Sequence, residues 1–401
     1  MTNENQIIHL QDSTAWDSYV QSNASANPYQ YFDWQTVINQ AYSHRTYALA
    51  AIKRTKVSGL DTNRLPPNFR FGKQNPIIGI LPLVHLESRI FGSRLVSMPF
   101  LDHGGLLANN NQAEVDLIAS AIKLGRKLKA RSIELRHLSE LACIGRLTHA
   151  EHPQGTHGGA LPSEISSGKG NSVQPSWTLR NHKVRMLMSL PDASETLMKS
   201  FKSKLRSQIQ RPLKSSLAAR IGGLELLDDF YQVFAVNMHE LGSPVHAKRF
   251  PLLVMQQFAQ SGKIVVVYQA ATPVAASIMV GFNTVMTNPW SSALRSHSQL
   301  SPNMLLYWTM LAYASDSGYR YFDFGRSTPG EGTYRFKTQW GAQPQAMYWY
   351  TIWLQGSLQP ALIKDDPQQG RLRAIAVYLW RRMPVSVSRI IGPLIRKHID
   401  L

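Results

Sequence analysis

The chain has 401 residues, of which 43% are hydrophobic, and a formal net charge of +18. This length suits two domains of ~150–200 residues each, and the hydrophobic content excludes a wholly disordered chain. The single cysteine, Cys143, excludes a disulfide framework and a structural zinc site built on cysteines. The surplus of Lys and Arg indicates an anionic partner: nucleic acid, a phosphorylated ligand or an acidic membrane surface.

The first half of the chain is predicted to contain strands and one long helix. The first 30 residues are polar and show no secretory signal. Hydrophobic patterning predicts strands over 76–86 and 95–107, a helix over 113–128 and a strand over 132–136. Residues 151–176 are rich in Gly, Ser, Pro and His. This composition predicts either a linker between two domains or a long loop within one.

The second half is predicted to begin with a strand over 184–190, where apolar and polar residues alternate. Asp192 and Glu195 have the spacing of a capping box, so we expect a helix with Asp192 as its N-cap. Its apolar stripe extends over 197–209, and Pro212 is expected to break or kink it.

The remainder of the second half repeats the order of elements of the first. A helix over 227–241 is expected to end at Gly242. The longest uncharged run, 264–294, is interrupted by polar residues and prolines, which predicts buried strands rather than a membrane span. Three strands, a helix with Ser301 as N-cap and a final strand are predicted over 263–269, 274–282, 284–290, 302–315 and 321–324. This order predicts a weak internal duplication and α/β or α+β layers.

The net charge is unevenly distributed. Residues 1–180 contain 18 basic and 13 acidic residues, a net charge of +5, whereas residues 181–401 contain 25 and 12, a net charge of +13. Two segments contribute most of the difference. Lys199–Arg220 has seven basic residues and no acid, and Arg371–Leu401 has seven against Asp400. Each segment is either a solvated helix face or a contact for an anion.

The segment Phe322–Gly341, FDFGRSTPGEGTYRFKTQWG, has the highest density of chemically active side chains. A predicted strand leads into a loop with three glycines and one proline. The N–H groups of such a loop bind anions, and basic side chains add charge. The alternatives are a surface loop with chance charges and, over 334–338, the edge of a sheet. The candidate residues of this segment are Asp323, Arg326, Glu331, Tyr334 and Lys337.

Two further segments contain candidate residues. In Asn237–His246, a helix end followed by a sharp turn places Asn237, Glu240 and His246 to line a cleft, or leaves them as solvated polar groups. Glu240 suits a general base toward an amine if burial tunes its pKa. In Met98–Gly105, Asp102 and His103 form either a pocket rim or a simple turn. The 13 His residues show no metal-site spacing, so no metal is expected.

Taken together, these segments resemble a known family. Phe322–Gly341 resembles the C-terminal signature of FemAB-like proteins of the GNAT superfamily of N-acetyltransferases, and most closely the subgroup associated with exosortase/PEP-CTERM systems. Lys204–Leu217, Ser298–Trp308 and the two segments just described extend the resemblance over roughly residues 30–350. The sequence departs from the family pattern at His239 for Arg, Glu240 for Asp and Ser243 for Thr.

The resemblance implies an α/β (α+β) fold of two tandem GNAT-like domains, each a mixed sheet flanked by helices. The expected domains are 1–180 and 181–360, followed by a basic amphipathic tail over 361–401. The implied function is an acyl- or aminoacyltransferase that forms an amide on an amine acceptor in cell-envelope or exopolysaccharide biogenesis. The alternative is a non-catalytic module of the same fold that binds an anionic polymer or a lipid-linked sugar.

The resemblance also suggests roles for single residues. Arg326 and Lys337, at the GRS and FK positions of the signature, would supply charge to a phosphate or an oxyanion. Glu240 or Asp323 would act as the base and Tyr334 as a proton donor. The candidate substrate-binding residues are Asn237, His103, Arg326, Glu331, Lys337 and Asn303.

The implied partners follow from the same reading. The acyl donor would be acyl-CoA, acyl carrier protein or aminoacyl-tRNA, used as a cosubstrate rather than as a bound cofactor, and the acceptor a small or lipid-linked molecule. The usual pyrophosphate loop for CoA and the coiled-coil arm of some Fem ligases are not evident in the sequence.

The tail mixes basic and apolar residues, and Pro384 and Pro393 divide it into short amphipathic pieces. Such pieces suit a contact with an anionic membrane surface, and the alternative is packing on the second domain. We therefore expect a cytoplasmic bacterial protein, with a peripheral contact to the inner membrane as an option for the tail.

Overall fold

The computed structural model describes residues 5–53, 76–88, 91–145, 156–160, 175–354 and 367–400. The first half contains β1 (Asn5–His9), α1 (Ser13–Ser22), α2 (Phe32–Tyr42), β2 (Arg45–Lys53), β3 (Ile77–Ser88), β4 (Gly92–Val96), β5 (Leu107–Ala108), α3 (Asn111–Lys127), β6 (Ser132–His137), α4 (Ala142–Gly145), β7 (Thr156–Ala160) and β8 (Ser176–Arg180).

The second half contains more helices, and its elements follow in the same unbroken numbering. They are β9 (Val184–Ser189), α5 (Ser194–Ser200), α6 (Ser203–Lys214), β10 (Leu217–Gly222), α7 (Leu227–Glu240), α8 (Arg249–Gln257), β11 (Gly262–Gln269), β12 (Thr272–Phe282), β13 (Val285–Ala293), α9 (Pro302–Asp316), β14 (Tyr321–Ser327), α10 (Gly332–Gln339), β15 (Gln343–Ala346), β16 (Tyr348–Trp353), α11 (Pro367–Arg382) and α12 (Val385–Arg396).

The strands form two mixed sheets. The nine-stranded sheet has the order β1-β2-β3-β4-β6-β16-β8-β7, with β5 paired to β3, and the seven-stranded sheet has the order β10-β11-β12-β13-β14-β9-β15. Among the described strands, each sheet has one parallel pair, β4 with β6 and β13 with β14. A helix, α3 or α9, connects the two strands of each pair. The duplicated order of meander, helix and strand is therefore present in the structure.

The chain crosses between the sheets after the second one is complete. β16 leaves the second half and pairs with β6 and β8 of the first sheet. Residues 348–353, which the sequence placed in the second domain, thus belong to the first sheet. The region 151–176 also contains a strand, since β7 pairs antiparallel with β8. Most of that region lies outside the described residues.

The two halves share one hydrophobic core. Trp34 of α2 packs against Phe258, directly after α8, with ring centroids 4.8 Å apart. Phe100, in the loop after β4, packs edge-on against Phe250 of α8 at 5.9 Å. All four side chains are buried in a cluster with residues of β11 and β12. Separation of the halves would expose this apolar surface, so the interface between them is fixed.

The start of the second half differs from the sequence prediction. The helix expected from Asp192 begins at Ser194, and Asp192 does not cap it. Asp316 from α9 accepts the Ser194 N–H instead, at 2.7 Å, so a tertiary contact replaces the local capping box. The predicted single helix is interrupted at Phe201, whose extended backbone lets its ring pack edge-on against Trp340, 5.7 Å away.

Two other local predictions were wrong. Pro212 does not break α6 but lies within its last turn. There proline removes one hydrogen bond to the preceding turn, and the helix ends two residues later at Lys214. The strand predicted over 95–107 is two strands, β4 and β5, separated by a loop. In that loop Met98 and Phe100 both have positive φ, which is incompatible with an extended strand.

The tail forms two helices that pack on α7. α11 and α12 are separated at Met383–Pro384, whereas Pro393 lies inside α12. The chain then enters the junction of the halves, where the Asp400 carboxylate accepts the N–H of Phe100 at 2.9 Å. Within the described ranges, no helix has the length and apolar character needed to cross a membrane.

Candidate functional site

A wedge opens in the second sheet between β13 and β14. The strands pair in parallel only from Val285–Thr287 to Tyr321–Asp323 and then separate. β14 has an irregularity between Asp323 and Arg326, and Gly325 adopts a φ of +71° there. Such a bulge bends a strand and turns it from its neighbour. Beyond Thr287, the edge of β13 therefore has no β14 partner, while its other edge stays paired with β12.

A cavity of about 520 Å³ occupies the mouth of this wedge. Its walls come from both halves of the chain and from the tail. The lining residues include Phe100–Asp102, Asn288–Ser291 of β13, Phe324–Arg326 of β14, Thr333 and Lys337 of α10, and Arg396, Ile399 and Asp400 of the tail.

Lys337 is one of two buried cations that line the cavity, the other being Arg396. The second half of the signature segment is the helix α10, not the sheet edge that was the alternative for 334–338. This helix directs Lys337 back to the bulge, where its Nζ donates to the carbonyls of Gly325 at 3.2 Å and Arg326 at 2.7 Å. Burial lowers the pKa of Lys337 to about 8. An ammonium group has three donors, so two are engaged and one is left for a ligand.

Asp323 lies beneath the bulge rather than in the cavity. Its side chain is 1% exposed and accepts from Arg185 Nε at 2.7 Å and from the Gly325 N–H at 2.8 Å. Burial alone raises its pKa, but the charge of Arg185 and the neighbouring donors hold the pKa well below its usual range. A carboxylate that is this acidic is a weak base, and it fixes the bulge that supports the cavity wall.

His103 completes the same buried cluster. Its Nε2 is 3.6 Å from the Asp323 carboxylate. Its Nδ1 is buried and has no hydrogen-bond partner among the described residues. Burial lowers the pKa of His103, so the ring is neutral near pH 7. His103 thus contacts the cluster under the cavity, and it is not among the residues that line the cavity.

Asp102 joins the two halves at the cavity rim. Its carboxylate accepts from the Arg326 N–H at 3.0 Å and pairs with Arg326 Nε at 3.2 Å. The Arg326 guanidinium lies over the Trp349 ring, 5.3 Å from its centroid. Both Asp102 and Arg326 line the cavity. The rim position expected for Asp102 is therefore observed, and the loop after β4 holds Arg326 in place.

His246 forms the opposite wall. Its Nε2 accepts from Arg396 Nε at 3.0 Å, and its Nδ1 is 2.5 Å from the Tyr42 hydroxyl. Burial and then the charge of Arg396 lower the pKa of His246 well below its usual value. Because arginine only donates, the neutral ring must carry its proton on Nδ1. Both ring nitrogens are therefore occupied, and His246 is a wall residue rather than a proton-transfer group.

The end of the tail is anchored by a buried ion pair. Asp400 accepts from Arg136 Nη2 at 2.6 Å, and Arg136 is fully buried. Arg136 also donates to the Glu134 carboxylate at 2.7 Å and the Leu101 carbonyl at 2.6 Å. Arg136 belongs to β6, at the point where β4 and β6 have separated. The first sheet thus also has a wedge, between β4 and β6, and it holds Asp400 of the chain's own tail.

The remaining predicted residues lie away from this cavity. Asn237 donates to the Ala293 carbonyl at 3.2 Å, and Glu240 accepts weakly from the Arg295 N–H at 3.4 Å. Glu331 is exposed at the start of α10 and forms no side-chain cap. Asn303 is exposed in the first turn of α9. The structure thus brings Arg326 and Lys337 together and leaves these four residues outside the lining.

Tyr334 faces a second cavity, of about 760 Å³. α10 separates the two cavities, with Lys337 on one side and Tyr334 and Arg335 on the other. Lys202, in the break between α5 and α6, and Lys204, in the first turn of α6, also line the second cavity. This arrangement places part of the basic segment Lys199–Arg220 at a concave surface next to the wedge.

Comparisons with known proteins address the second half directly. Residues 199–338 match the family model of the acetyltransferase (GNAT) domain. The matched residues include β13 and β14, which form the wedge, most of α10, and part of the lining of both cavities. A search of curated proteins found no significant match.

Solved structures extend the likeness of the fold to most of the chain. The crystal structure of FemX is 13% identical with a TM-score of 0.58, covering 86% of this chain and 96% of that chain. A tandem GNAT protein from the clavulanic acid biosynthesis pathway is 11% identical with a TM-score of 0.48, covering 88% and 100%. The C-terminal domain of a putative lysylphosphatidylglycerol synthetase from Agrobacterium fabrum is 10% identical with a TM-score of 0.48, covering 92% and 96%. The FemX likeness concerns the fold, and the predicted fold class is confirmed.

Several residues that support the cavity from behind its walls were not found from the sequence. Arg185, Arg136 and Tyr42 lie far from the signature segment, and only the sheet topology brings the two arginines to the wedges. Asp400 had a weak signal, as the one acid of the basic segment Arg371–Leu401. Among the described residues, no group of three or more His, Cys, Asp or Glu side chains is arranged to hold a metal ion.

Proposed function

We propose that this chain is an acyl- or aminoacyltransferase that forms an amide bond in the wedge cavity. The observation that carries the proposal is the position of Lys337. A buried ammonium with one uncommitted donor lies where the strands of the GNAT domain separate. In a water-poor site such a donor stabilises a developing oxyanion or a phosphate far better than it would in water.

The proposed reaction needs no cofactor chemistry. An acceptor amine attacks the ester or thioester carbonyl of the donor, a C–N bond forms, and the C–O or C–S bond breaks. The amine loses a proton, and the leaving alkoxide or thiolate gains one. The unpaired edge of β13 can hold the donor by backbone hydrogen bonds while Lys337 faces the carbonyl oxygen. Proximity of the two substrates then supplies much of the acceleration.

Asp102 is the residue that we assign to hold the acceptor amine. Two carboxylates line the cavity, and Asp400 is committed to Arg136 and the Phe100 N–H. Asp102 shares its charge with Arg326 at the rim and can also accept from an ammonium group. This assignment replaces the earlier expectation of Glu240 or Asp323 as the base, because neither residue lines the cavity.

We propose that the acyl group arrives on a carrier that bears phosphate: acyl-CoA, acyl carrier protein or aminoacyl-tRNA. Lys202, Lys204 and Arg335 at the second cavity are the groups proposed to bind its phosphates. Such contacts weaken as salt increases, because binding releases counterions. The signature segment supports a place in the exosortase-associated FemAB-like subgroup, and hence a role in cell-envelope or exopolysaccharide biogenesis.

A transfer assay tests the proposal. Purified protein is incubated with amine acceptors and each labelled donor class: acyl-CoA, acyl carrier protein and aminoacyl-tRNA. We expect transfer with one class, and a loss of about 10²–10³-fold in Lys337→Met, the cost of removing one oxyanion donor. Lys199→Met, at a lysine 82% exposed outside both cavities, is the control and should retain full transfer.

The same assay distinguishes a non-catalytic module. No transfer with any donor, together with salt-sensitive binding to an anionic polymer or a lipid-linked sugar, would contradict the proposed reaction. That outcome would favour a binding protein that uses the GNAT fold.

A further inference from the structure

The two tail helices expose large apolar side chains to solvent, whereas an amphipathic helix usually packs these side chains on the protein. In α12, the side that faces the protein carries Ser388, Gly392 and Arg396, spaced by four residues and all buried. Gly392 is packed so closely that an added Cβ would lie 3.0 Å from the Val245 backbone nitrogen. Small and polar residues therefore form the inner face of this helix.

The large apolar side chains of the same helix face outward. Ile390 is 72% exposed and Leu394 is 61% exposed, and Ile391 lies beside them. In α11, Ile375, Tyr378 and Leu379 are each more than half exposed, on one side of the helix. These six side chains are half of the twelve large apolar side chains that are exposed in the described part of the chain.

Clustered exposure of this kind marks a contact surface. Isolated apolar side chains on a surface are ordinary, but a concentrated apolar face is costly in water and is usually covered by a partner or a membrane. The two helices are short and amphipathic; Trp380 and Val377 of α11 pack on the body of the protein, whereas the six large apolar side chains named above face away from it. This pattern is typical of helices that lie in the interface of a lipid bilayer.

The charge of the tail indicates which kind of surface its apolar face contacts. The sequence from 367 to 399 contains basic residues and no acid, and the single acid that follows, Asp400, is buried against Arg136. Arg371, Arg381 and Arg382 are exposed on α11 beside its apolar side chains. Within residues 367–400, the structure thus shows an apolar face with exposed arginines and no exposed carboxylate, which matches a surface of anionic phospholipids.

We infer that the outward faces of α11 and α12 dock on an anionic membrane surface. The inner end of α12 reaches the cavity, because Arg396 is its last residue and also lines the cavity wall. A helix is about 10 Å across, so docking would hold the cavity roughly one helix diameter from the lipid. The inference stands on the tail alone and does not require that the cavity catalyse transfer.

Flotation with vesicles tests the inference without an activity readout. Full-length protein is mixed with phosphatidylcholine vesicles with or without phosphatidylglycerol, at low and at high salt. We expect flotation with phosphatidylglycerol that weakens at high salt. Ile390→Ser with Leu394→Ser should reduce partitioning by roughly 10-fold or more, since each buried apolar side chain adds substantially to membrane affinity. Arg371→Gln with Arg382→Gln should weaken it about fivefold per arginine.

The matched control is Leu213→Ser with Leu224→Ser. These two leucines are also exposed, at 46% and 43%, but lie outside the tail. The changed side chains are exposed in every variant, so we expect unchanged thermal unfolding, which checks that each variant is folded. Absence of flotation at any phosphatidylglycerol content, or equal flotation of the tail variant and the control, would overturn the inference. A dimer that the α12 substitutions dissociate, without flotation, would also overturn it and identify a second copy as the partner.

Discussion

Substitution of Asp323 by Asn tests whether this carboxylate is structural or catalytic. The change keeps the shape of the side chain and removes its charge. Arg185, whose side chain is 10% exposed, would then lose its carboxylate partner and keep hydrogen bonds only to uncharged oxygens among the described residues, such as Gln345 Oε1 at 3.4 Å. Loss of one partner of a buried ion pair costs about 3–5 kcal/mol of the free energy of unfolding, because the other charge stays buried.

Thermal and urea unfolding measure this cost. For a chain of 401 residues that unfolds as one unit, 1 kcal/mol corresponds to about 1.2 °C, so Asp323→Asn should lower Tm by about 4–6 °C. Asp192→Asn is the matched control, since Asp192 is exposed and caps no helix, and it should change the free energy of unfolding by less than about 0.5 kcal/mol. A stable Asp323→Asn protein that has lost transfer would refute the structural role and restore Asp323 as a catalytic group.

The pH dependence of stability gives a second readout for the same pair. The folded-state pKa of Asp323 lies below its ordinary value of about 3.9. The ionised form therefore stabilises the native state, fully above the ordinary pKa and progressively less as the pH falls below it. We expect the acid-induced loss of stability to be smaller in Asp323→Asn than in the parent protein, and an unchanged acid limb would contradict the assignment.

Three further predictions concern the frame of the cavity. Gly105→Ala should destabilise the protein by at least ~1–3 kcal/mol, because an added Cβ would lie 2.6 Å from the Arg136 carbonyl oxygen; Gly332→Ala, where nothing lies within 4 Å, should be neutral in the same melts, and equal effects would refute the argument. Asp400→Asn should cost about 1–3 kcal/mol, since Arg136 keeps its Glu134 partner, and should speed proteolysis of the tail; unchanged cleavage would show that the ion pair does not anchor it. Asp102→Asn should raise KM for the acceptor amine more than it lowers kcat, and an effect on the donor KM alone would contradict its assignment.

The sequence predicted most of the helices and strands, because local hydrophobic patterns indicate them. The strands over 264–294 are marked by long apolar runs, and α3, α7 and α9 by helical periodicity. The break at Phe201 could not be predicted in this way, because it depends on Trp340, which is distant in sequence. The same holds for Ser194, which a distant aspartate caps.

The candidate site was predicted only in part. The signature segment identified Arg326 and Lys337, which share the cavity wall. Glu240 was chosen as a base at a helix end before a sharp turn, and Asn303 because its segment resembles the family; neither lines the cavity. Asp323 was expected to act as a base, but its side chain is buried, and pairing with Arg185 from another strand lowers its pKa. Local sequence contains no information on that pairing.

The pH profile of transfer by Lys337 variants tests the central claim most directly. With a pKa of about 8, Lys337 loses its ammonium charge as the pH rises, so kcat of the parent protein should fall above pH ~8. Lys337→Arg keeps its charge at every accessible pH. It should retain part of the transfer and lose the alkaline limb, whereas Lys337→Met should lose about 10²–10³-fold at every pH. A Lys337→Met protein with the rate and pH profile of Lys199→Met would contradict the assignment of this cavity as the site of transfer.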